Sequence, residues 1–101
     1  MNRVMDDGDL AREVATGFLN DLPGQIQQLK DLVTTGETYR AGEQAHKIKG
    51  ACATVGGAAL SALAARLEQA GKAGDLATIT ARLPEVDAQF ATLKEAMTNE
   101  V

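Results

Sequence analysis

Apolar residues in this chain recur three and four positions apart, the spacing that lines one face of an α-helix. The clearest run is the last one: Leu76, Ile79, Leu83, Val86, Phe90, Leu93 and Met97. A second run, Ala41, Ala45, Ile48, Cys52 and Val55, is spaced 4, 3, 4, 3. Leu22, Ile26, Leu29, Leu32 and Val33 form a third, Leu60, Leu63, Leu67 and Ala70 a fourth, and Leu10, Val14 and Phe18 a short fifth. Glycines separate these runs at Gly36, at Gly56-Gly57 and between Gly71 and Gly74, where a helix can end in a left-handed residue. Asp75 is placed to cap the last helix, and Asp7 or Asp9 the first. Asp21-Leu22-Pro23 predicts a break and a new start, because Pro suits a first turn. The expected helices therefore cover about residues 9–20, 22–35, 38–55, 57–72 and 75–98. Pro84 falls inside the last pattern and predicts a kink or a broken turn.

Amphipathic helices joined by such short loops must pack antiparallel to bury their stripes. The expected fold is all-α: an up-down antiparallel four-helix bundle with an extra short N-terminal helix across one end. Residues 1–101 are expected to form one domain. Composition fits this picture, because apolar residues make up 45% of the chain while aromatics make up only 3%, so the core must be aliphatic. The stripes use up the apolar positions, which predicts a monomer.

Charge narrows the function. A net charge of −4 argues against nucleic acid, which requires a basic patch. No apolar run approaches the roughly 18 residues of a membrane span, so no direct membrane contact is expected. Met1 to Asp7 lacks the apolar stretch of a signal peptide. A cytoplasmic location is the simplest reading, and a cytoplasmic portion of a larger membrane-bound protein would look the same. The single cysteine, Cys52, lies on a core stripe and reads as a buried, inert thiol. The acidic stretch Asp6-Asp7-Gly8-Asp9 reads as a solvated cap region.

The chain has one histidine, His46. On a helical wheel the stripe of its helix centres about 140° away from it, so His46 faces outward. Gly42, Lys49, Gly50 and Ala53 fall on the same side. Glycine inside a helix costs about 1 kcal/mol relative to Ala, so two on one face call for a reason. Bare backbone beside an imidazole would let another protein come close enough to touch it. Lys49, one turn on, would favour the neutral ring and stabilise an anion attached to it. Across the Gly56-Gly57 turn, Glu68 lies about as far along its own helix as His46 does along the other, beside small Ser61, Ala64 and Ala65. A carboxylate there would accept a hydrogen bond from Nδ1–H and leave Nε2 free as a nucleophile.

The segment Ala45-His46-Lys47-Ile48-Lys49-Gly50, followed by Val55-Gly56, Leu60 and Leu67-Glu68, strongly resembles the histidine-containing phosphotransfer (HPt) domains of two-component phosphorelays. Phe18 to Pro23 and the Gly74-Asp75 step are also similar, and the resemblance runs from about Leu10 to Met97. It implies a phosphohistidine carrier that takes a phosphoryl group from the aspartyl phosphate of one response-regulator receiver domain and passes it to another. By position His46 matches the phosphoacceptor, Lys49 the neighbouring lysine, Gly50 the access glycine, and Glu68 the Gln or Glu that orients the ring. Gly42, Gly50 and Ala53 would form the receiver docking face. The carrier needs no cofactor of its own; Mg²⁺ belongs to the partner receiver. The expectation leans towards a domain of a larger sensor kinase.

Other readings stand beside this one. The chain could be the phosphoacceptor domain of a chemotaxis-type kinase, modified directly by an ATP-binding domain. It could instead be a helical receiver-binding module in which His46 is never phosphorylated. Independent kinase activity is not expected, because the chain has no Gly-rich nucleotide loop. The dimerisation bundle of an orthodox sensor kinase fits poorly, because Lys47 occupies the place where an acid usually follows the histidine. One histidine with one nearby carboxylate offers too few ligands for a metal.

Overall fold

The structure is a computed structural model that describes the backbone of residues 7–100 and the side chains of residues 16–97. Four helices fill it: α1 (Asp7–Thr34), α2 (Thr38–Thr54), α3 (Ala58–Lys72) and α4 (Leu76–Glu100). Among the described residues there is no strand. Helix α1 packs on α2 and α4, and α3 packs on α2 and α4, which is the ring order of an up-down bundle.

The three connecting turns are built alike. Gly36, Gly56 and Gly74 each adopt a left-handed φ, of 76°, 76° and 73°. The residue after each glycine donates its N–H five residues back: Glu37 to Leu32 O at 2.9 Å, Gly57 to Cys52 O at 2.8 Å, and Asp75 to Ala70 O at 2.8 Å. This is the Schellman closure, which satisfies the last carbonyls of a helix and reverses the chain within a few residues. The same residue then opens the next helix. Asp75 does so with its side chain, accepting from Thr78 N–H at 3.1 Å and from Thr78 Oγ1 at 2.6 Å.

The core is aliphatic. Leu22, Leu29, Ile48, Leu60, Leu67, Ile79 and Val86 are essentially inaccessible, with Ala41, Ala45, Cys52 and Ala64 filling the narrow places between them. Among the described side chains of α4 only Ile79 and Val86 are fully buried; Leu83, Phe90, Leu93 and Met97 are partly covered. Leu93 packs against Gly57, level with the α2–α3 turn, so the end of α4 reaches past the two short helices. A buried polar link ties α2 to α1: Gln44 Nε2 donates to the Gln25 carbonyl at 3.0 Å.

Two expectations about proline need correction. The helices expected over about 9–20 and 22–35 are one element, because α1 runs through Pro23. The side chains of Leu10 and Val14 lie outside the described residues, as do Asp6 and the side chains of Asp7 and Asp9. Likewise the broken turn that Pro84 allowed for is not formed: α4 continues through it. A proline inside a helix costs about 3 kcal/mol through a lost hydrogen bond and a clash with the preceding turn. Both rings stand on the exposed side. The stripe Phe18, Leu22, Ile26, Leu29 and Val33 stays buried along one face of α1. Each such side chain contributes about 1.5–3 kcal/mol, so a continuous stripe outweighs one proline.

The closest helix contact is between α2 and α3. A Cβ added to Gly71 would overlap Gly42 Cα and fall 2.7 Å from Gly42 N, and one added to Gly42 would meet Glu68 O at 3.2 Å. Those neighbours are backbone and cannot swing aside. Gly24, by contrast, sits in α1 with open space around it. Gly71→Ala should therefore destabilise the fold by about 1–3 kcal/mol through overpacking. Gly24→Ala should stabilise it by about 0.5–1 kcal/mol by relieving a helical glycine. Urea unfolding followed by circular dichroism checks both signs.

Candidate functional site

His46 stands near the middle of α2 with its side chain 63% exposed. Its Nδ1 lies 3.0 Å from Oε2 of Glu68, which reaches across from α3. Glu68 is buried, at 7% exposure, because the close approach of the two helices folds its side chain into the seam between them. Lys49 Nζ donates to the other carboxylate oxygen, Oε1, at 2.7 Å. Lys72, four residues after Glu68, forms a 3.4 Å ion pair with Oε2. One buried carboxylate thus gathers an imidazole and two ammonium groups.

This arrangement decides the state of each group. The Lys49 hydrogen bond holds the Glu68 carboxyl far below its usual range, down to about 2. Burial pushes the other way, and the His46 and Lys72 contacts add to the lowering. An ionised carboxylate has only lone pairs to offer, so the His46–Glu68 contact requires Nδ1 to carry the hydrogen and donate it. In the neutral ring the remaining lone pair then sits on Nε2. A ring held this way presents a nucleophilic nitrogen with its tautomer already selected.

The surroundings divide into two flanks. Towards the α2–α3 turn, Lys49, Ala53, Gly56, Ala58, Ser61, Ala62 and Ala65 line a shallow groove of small side chains. Gly50 is exposed, and a Cβ built on it meets nothing. Ala53 is exposed as well. Ser61 Oγ donates to the Lys49 carbonyl at 3.3 Å and so stitches this flank together. On the far side, Tyr39, Gly42, Glu43, His46, Lys47, Glu68 and Lys72 line a second groove. Among the described residues Tyr39 is the large hydrophobic most open to solvent, at 62%.

A protein-family model described as the Hpt domain matches residues 13–98. The chain belongs to the Hpt-domain family. No curated protein and no solved structure matches it significantly. Membership makes this Hpt domain a phosphotransfer carrier of two-component signalling, a class whose members interact with receiver domains and kinases. Among the described residues, no helix is long and apolar enough to cross a membrane, and no cluster of three or more His, Cys, Asp or Glu could hold a metal.

Within this Hpt domain the structure brings some of the expected residues together and sets others apart. His46, Lys49 and Glu68 converge, and Gly50 and Ala53 lie open beside them. Gly42 does not belong to the open face: it is buried against Gly71 and the Glu68 backbone. Its missing side chain serves helix packing, not access. Ala64, expected beside Glu68, is in the core. Cys52 is fully buried, and desolvation pushes its thiol up to about 11. Lys72 and Tyr39 went unread in the sequence. Lys72 had a signal, since Glu and Lys four apart on a helix are neighbours; Tyr39 had none beyond its position one turn before Gly42.

Glu68 allows a direct check. Its folded-state pKa lies below the ordinary value, so its ion pairs stabilise the fold above about pH 4.5 and are lost only as pH falls through about 2. Carboxyl-carbon NMR should show Glu68 titrating near 2. In Lys49→Met the midpoint should move up towards the ordinary carboxylate range. A midpoint in that ordinary range for the unmodified chain would contradict the geometry.

Proposed function

We propose that His46 accepts a phosphoryl group from the aspartyl phosphate of a receiver domain and returns it to the aspartate of another. The observation that carries this reading is the Nδ1–Glu68 contact at 3.0 Å on an imidazole that is otherwise exposed. In the forward step the Nε2 lone pair attacks phosphorus and the P–O bond to the aspartate breaks. The aspartate leaves as a carboxylate. The ring keeps its Nδ1 hydrogen throughout, so it becomes an Nε2-phosphorylated imidazolium whose positive charge faces Glu68. Breaking the P–N bond in the return step gives back the neutral ring in its starting tautomer. No proton moves in either direction.

Each remaining residue has a part in this scheme. Glu68 orients the ring and stabilises its charge while it carries phosphate. Lys49 supplies positive charge one turn from the phosphoryl group. Gly50 and Ala53 keep the approach open for the receiver. Mg²⁺ held by the partner would neutralise the phosphoryl oxygens during transfer. The chain acts as donor and acceptor, not as a kinase in its own right, and a monomer suffices for it. A receiver-binding role without phosphorylation would leave the orientation of His46 unexplained.

The test is incubation with a phosphorylated receiver domain. An acid-labile, alkali-stable phosphate should appear on the chain and be absent from His46→Ala. Binding without modification by several receivers and a kinase would overturn the carrier role. Gly50→Gln should keep the fold, because the site is open, yet slow transfer roughly 10- to 100-fold by holding the receiver away. Glu68→Ala should slow it by a similar factor without abolishing receiver binding. Stopped-flow or quench measurements with a labelled receiver read both effects.

A further inference from the structure

Phosphorylation changes what Lys49 has to do. In the unmodified site its ammonium is committed to Glu68 Oε1 at 2.7 Å. A phosphoryl group on Nε2 brings nearly two negative charges to the same helix face, one turn away. Lys49 then faces two anions. Glu68 is buried, and once Lys49 leaves only the imidazolium would offset its charge, although that ring now carries the phosphoryl group itself. If Lys49 stayed with Glu68, the phosphoryl group would lie next to that acid without the lysine one turn along its own helix face. A second cation resolves this conflict.

Lys72 is that cation. It lies 3.4 Å from Oε2, the oxygen that also receives the His46 Nδ1 hydrogen. It approaches from the flank opposite Lys49, in the groove with Tyr39 and Lys47. Its side chain is 58% exposed, against 33% for Lys49, so it has room to shorten the contact. Building on the phosphocarrier reading above, we propose that Lys72 is a positioning residue that takes over Glu68 when Lys49 turns to the phosphoryl group on His46. The unmodified site thus holds both lysines on one carboxylate, and the phosphorylated site divides them, one to each anion.

A simpler role is available for a lysine in the last turn of α3, where positive charge suits the helix end. The two roles separate by experiment. Purified chain is phosphorylated on His46 with phosphoramidate, and the equilibrium with a receiver domain is measured by phosphorus NMR. Lys72→Met should shift that equilibrium away from His46 about fivefold, the scale of one ion pair, and Lys72→Arg should restore it. In Glu68→Gln there is no anion to hand over, so adding Lys72→Met should have no further effect. A second cycle asks the same of Lys49: Lys49→Met should matter less once Lys72 is gone, because Lys49 is then tied to Glu68. Equal effects of Lys72→Met in the unaltered chain and in Glu68→Gln, or additivity with Lys49→Met, would reduce Lys72 to a plain surface charge and overturn the handover. Failure of the unaltered chain to hold phosphate on His46 would instead overturn the carrier reading itself.

Discussion

Everything at the site depends on how closely α2 and α3 approach at Gly42 and Gly71. A Cβ on Gly71 would collide with the Gly42 backbone, and one on Gly42 would crowd the backbone of Gly71 and Glu68. Without this contact the seam would open and Glu68 would no longer reach Nδ1 of His46 and Nζ of Lys49 at 3.0 and 2.7 Å. The contact lies beside the Glu68 carbonyl, which a Cβ on Gly42 would meet at 3.2 Å. A packing constraint between bare backbones thus becomes a constraint on the tautomer of an imidazole one turn away. The Schellman turn at Gly56 fixes the same pair at its other end, so the register between His46 and Glu68 is held from both sides.

A carboxylate in this seam also sets the electrostatics. The chain is acidic as a whole, yet two lysines converge on one acid beside the reactive ring. Glu68 stays ionised because Lys49 stabilises its charge more than burial penalises it. An ionised partner can only accept, which is why the free lone pair sits on Nε2. The core takes no part in this chemistry: Cys52, two turns along α2 from Ala45, is sealed among aliphatic side chains and its thiol is pushed upwards by desolvation.

Much of this was legible in the sequence, for identifiable reasons. The 3-4 spacing of apolar residues marked α2, α3 and α4 to within a residue or two, and the turn glycines marked their ends. His46, Lys49, Gly50 and Glu68 could be placed because helix periodicity and equal distance from a turn are simple geometry. Pro23 misled because a local rule was set against a continuous stripe, and the buried stripe from Phe18 to Val33 outweighs it. Gly42 misled in another way. A wheel gives a direction relative to one stripe, but it does not show that a second helix lies close enough to cover the edge of that stripe. Lys72 is hard to read because a lysine four residues after a glutamate marks an ordinary surface pair, and nothing in the sequence shows that this glutamate is buried.

Gly42, which the helical wheel misplaces, and Lys72, which it passes over, both bear on Glu68. Neither needs to touch the imidazole, so no pattern centred on the histidine reveals them. Gly42 sets how deeply the carboxylate sits in the seam, and Lys72 adds to the charge around it. A site of this kind has one reactive atom and a supporting shell spread over two helices. The reactive atom shows in the sequence as an isolated residue type. The shell shows only once the distance between the helices is known, because whether a glycine is open to solvent or packed against backbone is decided by the neighbouring helix and not by its own.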